Sequence, residues 1–258
     1  MRQNPSPMVE HRRAHPRLAE RKPPGERFDL SLGSLYLPAN PRGLLVFFHG
    51  GKWLPEVAAE RNRLAAVSIQ IGAGSGVYSS AFEQPRRLLA LLEEAEVKAG
   101  RKFRTVTLGG WSAGCGAIRA ILRDKPSYDR VHAVVCIDGM HTGYVEGVPG
   151  PLESKIEPEP LAIWRDLARD AIAGHKRFLL THSEIFPGTF ASTTETADWL
   201  LGQLGVRAKP ILRWGPMGTQ QISGYKAGGF ELRGYAGNTA PDHVDQLHSL
   251  PQYLRSLR

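Results

Sequence analysis

Apolar residues in this chain gather into short runs separated by polar, glycine-rich or proline-rich joints. Leu44–Phe48 (LLVFF) is a continuous run that ends abruptly in His49-Gly50-Gly51-Lys52-Trp53, the pattern of a strand covered on both faces. Residues 62–72 (NRLAAVSIQIG) hold a second strand, the run from Thr105 a third, Val131–Ile137 (VHAVVCI) a fourth that stops at Asp138-Gly139, and Phe178–Thr181 a fifth that leads into His182-Ser183-Glu184. Arg27–Leu37 alternates polar and apolar residues around a glycine, as two short strands or a bulged hairpin would. Segments near Ile211 and at Phe230–Tyr235 complete the predicted sheet.

A different period marks the helices. Pro85–Ala99 carries Leu88, Leu89, Leu91 and Leu92 on one stripe, with Pro85 in its first turn and Gly100 beyond its end. Leu161–Ala173 reads as a helix, Ser192-Thr-Thr-Glu195 is a capping box opening a helix through Leu204, and a terminal helix follows the polar loop Asn238–His243. Gly72–Ser80 reads as a Gly- and Ser-rich loop containing Tyr78. Met140–Pro160 holds four prolines and no clean period, a connection long enough to form a lid-like insertion. Strand, helix and strand joined by short connections imply right-handed crossovers, and so an α/β fold with a mostly parallel sheet flanked by helices.

Composition sharpens this in three ways. With 258 residues and 41% hydrophobic content the chain can bury a full core, and residues 28–258 are read as one domain. Cys115 and Cys136 fall beside or inside core elements and form no C-x-x-C pair, so neither a disulfide framework nor a cysteine metal site is expected. There is no apolar run of transmembrane length and no apolar leader core in this sequence. The cytoplasm is therefore the expected compartment, with a secreted protein whose leader has been removed as the alternative.

The net charge is +8, and within residues 1–27 seven basic side chains stand against three acidic ones. That Pro-rich segment is read as a basic arm, disordered or extended. No aromatic residues interleave with its cations, so a solvated tail is expected and no nucleic-acid partner.

The candidate chemistry centres on Thr105–Ala120, TVTLGGWSAGCGAIRA, which reads as a buried strand, a sharp turn and a helix. Its turn spells G-x-S-x-G as Gly110-Trp111-Ser112-Ala113-Gly114. A serine projected from a strained strand-to-helix turn needs close backbone approach on both sides, which small residues permit. An ordinary glycine turn could carry the same five residues, and the flanking strand and helix patterns are what distinguish this one. Likewise, an apolar strand running into His49-Gly50-Gly51 suits a loop whose amides face a cavity, because glycine lets a substrate oxygen come close. Nucleotide-binding signatures are missing: Gly109-Gly110 is followed by no P-loop Lys-Ser/Thr, and no G-x-G-x-x-G opens an early helix. No H-E-x-x-H or comparable cluster occurs, and neither a metal nor a cofactor is expected.

In their order along residues 28–258, these parts resemble the α/β-hydrolase superfamily, with an esterase- or lipase-like serine hydrolase as the implied activity. The resemblance implies Ser112 as the nucleophile and His243 as its base, His248 being the competitor inside the terminal helix. It implies an acid at Asp138, after the strand that follows the nucleophile helix, or at Glu184, one strand later. The amides of Ala113 and Gly51, assisted by Lys52, would form the oxyanion hole. Trp53, Tyr78 and Trp111 are candidates either for the pocket wall or for the core. An amidase, peptidase or thioesterase would use the same residues, and a non-catalytic binding protein could keep the fold without turnover.

Overall fold

A computed structural model describes residues 17–149 and 155–257, and within it the chain forms two compact units. Of the described residues, one comprises 18–136 and 250–257, and the other Arg17 with 137–149 and 155–249.

The first unit opens with β1 (Glu26–Asp29) and β2 (Ser34–Leu37), an antiparallel hairpin as the alternating pattern predicts. There follow β3 (Leu44–Phe48), α1 (Trp53–Asn62), β4 (Ala65–Ile69), α2 (Ser75–Phe82), α3 (Arg87–Ala99), β5 (Val106–Trp111), α4 (Cys115–Arg123), α5 (Lys125–Arg130) and β6 (Ala133–Ile137), whose last residue begins the second unit. Strand order is β1-β2-β4-β3-β5-β6. Strand β3 pairs in parallel with both β4 and β5, whereas β2 meets β4 antiparallel. All five residues of β3, of β4 and of β6 are buried, which is why each reads as an unbroken apolar run. After β3 the chain crosses to β4 on one side and returns to β5 on the other, so the order in which parallel strands are added reverses at β3. In open α/β sheets, ligands bind outside the carboxyl ends of strands at such a switch.

The second unit contains α6 (Ala162–Ile172), β7 (Arg177–His182), α7 (Thr193–Gln203), β8 (Lys209–Trp214), β9 (Gln220–Ala227), β10 (Phe230–Tyr235) and α8 (Ala240–His248). Its strand order is β7-β10-β9-β8, with β10 parallel to β7 and the β9 and β8 pairings antiparallel. Trp164 of α6 stacks on Phe178 of β7, which stacks on Phe230 of β10. The final helix, α9 (Leu250–Ser256), rejoins the first unit, where Asn62 Nδ2 donates to the Pro251 carbonyl at 3.0 Å.

Several boundaries differ from the sequence reading. Gly72–Ser80 is not a loop throughout, because Gly74 in extended conformation starts α2 at Ser75. The glycine that makes this possible lies elsewhere: a Cβ on Gly116 of α4 would overlap the Ser75 backbone, so its absence lets α2 approach closely. The polar stretch before the terminal helix is likewise shorter than predicted. Thr239 and Asp242 form a capping box with Pro241 in the first turn, so α8 begins at Ala240 and His243 lies inside it. Helices α1 and α5 and strand β9 were not foreseen. In the insertion, Tyr144 bridges Ile156 and its hydroxyl donates to Glu195, which pins the segment to the start of α7. Residues 150–154 of the predicted lid and residues 1–16 of the predicted arm lie outside the described residues.

Turn geometry after β5 yields the first prediction. A Cβ at Gly114 would fall inside the van der Waals radius of the Phe48 carbonyl, a backbone atom that cannot rotate away. Gly114→Ala should therefore cost about 1–3 kcal/mol in urea unfolding, whereas Gly74→Ala, with nothing near its Cβ, should cost under about 1 kcal/mol.

Candidate active site

Strand β5 ends at Trp111, and the next residue, Ser112, has a left-handed backbone with φ 50°. A single 3-10 turn, Ser112–Gly114, then leads into α4. Both glycines of the motif have steric reasons. Gly114 presses against the Phe48 carbonyl, and a Cβ on Gly110 would lie 3.0 Å from Cys115 N, from the Gly114 carbonyl carbon and from Ile118 Cδ1. The helix thus folds back tightly over its own strand, and Ser112 sits at the crest. Because Ala113 and Gly114 begin a helix, their amides have no intrahelical acceptor and lie at its positive end.

Register sets the neighbouring loop. Phe48 of β3 pairs with Gly110 of β5, so His49 and Trp111 come level, and their rings stack at 5.2 Å with 14° between planes. His49 also has a left-handed backbone (φ 70°), and Gly50 follows at φ 93°, a conformation that favours glycine. The His49 ring is held from a second side, where Nδ1 lies 3.1 Å from the Tyr78 hydroxyl. Gly51 and Lys52 are exposed at the mouth of α1, with the Trp53 indole 3.1 Å from where a Gly51 Cβ would stand. Tyr78 itself has no exposed surface, and burial raises its phenol pKa. It buttresses His49 and offers no wall to solvent.

The second unit assembles a carboxylate and an imidazole. Asp138 follows β6 with φ 45° and is 2% exposed. Its Oδ2 lies 2.7 Å from His243 Nδ1 and accepts from Ser183 Oγ at 2.7 Å. Its Oδ1 accepts from the Ser183 amide at 2.9 Å and from Thr193 Oγ1 at 2.5 Å. Burial alone would raise this carboxyl, but the hydrogen bond and charge of His243, with the hydroxyls of Thr193 and Ser183, outweigh it and hold the pKa at about 2. The Asp138 amide donates to the Thr181 carbonyl and hydroxyl, and Thr181 Oγ1 donates to Gln246 Oε1 at 2.5 Å, which ties the ends of β6 and β7 to α8.

His243 occupies the first full turn of α8, and the arm reaches that helix on both sides of it. Arg17 Nε donates to Asp245 Oδ1 at 2.7 Å and Arg17 Nη2 to the Pro241 carbonyl at 3.0 Å. Asp245 is 1% exposed, so the guanidinium supplies a counter-charge that a buried carboxylate requires.

The other candidate acid and base, and two further titratable side chains, fall elsewhere. Glu184 is exposed, and its Oε2 accepts from the Gly237 amide at 3.1 Å. Asp242 caps α8, His132 Nδ1 accepts from the Val106 amide, and His248 ends α8 in a buried position. Trp53 and Trp111 are half-buried. Among the described residues no group of three or more His, Cys, Asp or Glu side chains is gathered to hold a metal ion, and no helix is long and apolar enough to cross a membrane. Ser183, Thr193 and Arg17 were missed as contributors. Thr193 was visible only as part of the capping box, and nothing in its spacing pointed to a carboxylate 55 residues earlier.

No protein-family model matches this chain, and no curated protein matches it. Solved structures do. The Pyrobaculum calidifontis esterase in its monoclinic form aligns with a TM-score of 0.53 at 10% identity, covering 91% of this chain and 86% of that one. A second structure, described as a hyperthermophilic esterase from the archaeon Pyrobaculum calidifontis, aligns with a TM-score of 0.52 at 13% identity, covering 91% and 83%. The chain has the α/β-hydrolase fold, a mixed and mostly parallel central sheet with flanking helices.

A pH dependence follows from the end of α8. Burial first, and the Arg17 charge second, lower the His248 pKa from 6.5 to about 4. The folded protein thus prefers neutral His248, and as pH falls the unfolded chain takes up the proton first. Stability from this group is complete above pH 6.5, falls between pH 6.5 and about 4, and levels off below. Urea unfolding across that window should show a shallower slope for His248→Gln than for the native chain.

Proposed function

We infer that this chain is a serine hydrolase that cleaves carboxylic esters by acyl transfer. The observation that carries the reading is the left-handed backbone of Ser112 on a strand-to-helix turn, packed so closely that Gly114 has no room for a Cβ and Gly110 little. A non-glycine residue in that region costs about 1–3 kcal/mol and persists where the surrounding structure enforces it. Such strain, placed on a serine at the start of a helix, suits a nucleophile presented clear of its own strand.

The roles are assigned as follows. Ser112 Oγ attacks the ester carbonyl while His243 takes its proton, giving a tetrahedral oxyanion. The amides of Ala113 and Gly51 donate to that oxyanion, with Lys52 nearby as a positive charge. Collapse expels the alcohol, protonated by the imidazolium, and leaves an acyl-serine. Water, deprotonated by His243, then attacks the acyl carbon and releases the carboxylic acid and Ser112. Asp138, its pKa held at about 2 and so ionised near neutral pH, holds the imidazole through Nδ1 and stabilises its cation. Its 2.7 Å approach to His243 supports Asp138 over Glu184, whose carboxylate is engaged by the Gly237 amide. The ester is taken from the two esterase structures that share the fold; amides and thioesters could be attacked by the same residues.

Two experiments test this reading. A fluorophosphonate probe should label the native protein and fail to label Ser112→Ala, and labelling of both to the same extent would remove Ser112 as the nucleophile. On a p-nitrophenyl ester, Asp138→Asn should lower kcat by roughly a thousandfold to ten-thousandfold, while Glu184→Gln should change it by less than about threefold. The reverse order would transfer the role to Glu184. A matched panel of amides and thioesters run beside the ester identifies the preferred acyl bond.

A further inference from the structure

Strand β8 lies at the end of its strand order, paired on one side with β9. Its burial runs against expectation for an apolar sequence, since of Lys209-Pro210-Ile211-Leu212-Arg213-Trp214 only Ile211 is half-covered. Leu212 is 77% exposed and Trp214 75%. Exposed edges are usually blunted by charge, proline and bulges. Here Pro210 removes one backbone donor from the strand, and the β8–β9 ladder shifts register between Pro210 and Arg213, so β8 is an irregular strand poorly made for receiving another. The large apolar side chains remain in solvent nonetheless.

Charge indicates what they face. Residues 199–230 contain Arg207, Lys209, Arg213 and Lys226 and no acidic residue. Lys226 is paired with Glu231, whereas Arg207, Lys209 and Arg213 are exposed within seven residues of Trp214 in the sequence, and Arg213 Nε donates to the neutral Gln221 amide oxygen. Trp and Leu flanked by Arg and Lys are the combination that seats at a headgroup layer, with the rings and aliphatic carbons at the acyl boundary and the cations on phosphates. We propose that the β8 edge docks this protein on an anionic lipid bilayer. A second copy paired edge to edge would gather six of these cations without a carboxylate from the same stretch, which disfavours self-association. A nucleic acid would use the cations and the Trp214 ring but would leave Leu212 in water.

Position gives the docking a consequence. The 3-10 turn Pro216–Gly218 follows Trp214 directly and packs against α8, the helix that carries His243. Resting on the hydrolase reading above, the substrates brought there are esters of amphiphiles lying in the membrane, handled in preference to soluble esters.

The surface and the activity are separable in one set of measurements. Ser112→Ala protein is sedimented with vesicles of phosphatidylcholine alone or with about 30% phosphatidylglycerol, whose negative surface attracts basic residues. Binding is expected to the anionic vesicles, to weaken as salt rises, and to drop at least tenfold when Leu212→Ser and Trp214→Ser are combined, or when Lys209→Glu and Arg213→Glu are combined; circular dichroism and thermal unfolding should be unchanged in both. Equal binding to the two vesicle types, or native binding by either double variant, overturns the proposal. So does a concentration-dependent dimer in light scattering that both double variants abolish, or a single-stranded oligonucleotide bound more tightly than the anionic vesicles. With native Ser112, the Leu212→Ser, Trp214→Ser protein should keep its rate on a soluble short-chain ester and lose at least fivefold on a long-chain ester held in anionic vesicles. If the native chain hydrolyses neither ester, the hydrolase reading fails while the vesicle result still stands on its own.

Discussion

The backbone at the carboxyl ends of three strands is the constraint on which the candidate residues depend. His49 after β3, Ser112 after β5 and Asp138 after β6 each have positive φ, at 70°, 50° and 45°. A left-handed non-glycine residue immediately after a strand breaks the extended path within one residue and throws the side chain out of line with the strand. Each such residue costs about 1–3 kcal/mol, so it must be held by its surroundings. The Phe48 carbonyl against Gly114 and the start of α4 against Gly110 do this for Ser112. The Trp111 ring and the Tyr78 hydroxyl do it for His49, and for Asp138 the holding groups are the Thr181 carbonyl and hydroxyl on its amide.

Polar satisfaction does for the second unit what close packing does for the first. Both oxygens of the buried Asp138 are occupied by donors from three places in the chain, Ser183 after β7, Thr193 at the start of α7 and His243 in α8. A carboxylate without these donors would be driven to protonate by burial, and with them it stays ionised down to about pH 2. The capping boxes at Ser192 and Thr239 fix the helix starts that deliver Thr193 and His243, so local helix-end chemistry places the partners of a distant strand end.

Much of this was legible in the sequence, and the division between what was and what was not has physical causes. Strands buried on both faces announce themselves, so β3, β4, β6 and β7 were read close to their observed ends. The capping box at Ser192 gave α7 to within a residue. Helix α1 was not, since Trp-Leu-Pro-Glu-Val-Ala-Ala-Glu-Arg-Asn is buried on most of its surface and shows no single apolar stripe, even Glu56 being covered through its pairing with Arg27. Helix α2 was hidden by Gly and Ser, residues of low helix propensity whose smallness serves the contact with α4. The loop assigned to His243 overlooked that Thr-x-x-Asp with proline in the first turn is itself a helix start.

The chemistry divides along the same line. Ser112, Ala113 and Gly51 lie within motifs whose geometry is local, and five residues are enough to describe why the turn exists. The proposed acid is nonlocal: Asp138 and Glu184 each follow a strand and each has the right chain order, so sequence leaves the choice open. What separates them is tertiary, a 2.7 Å contact to an imidazole 105 positions away and a backbone amide that draws Glu184 elsewhere. Arg17 makes the same point from the amino-terminal side. Its composition marked it as part of a solvated arm, yet it is the counter-charge to Asp245, two residues beyond His243. Residue type and spacing thus point to groups whose proposed roles rest on their own backbone turn. Groups that act by neutralising or orienting another side chain become visible only when the fold brings that side chain beside them.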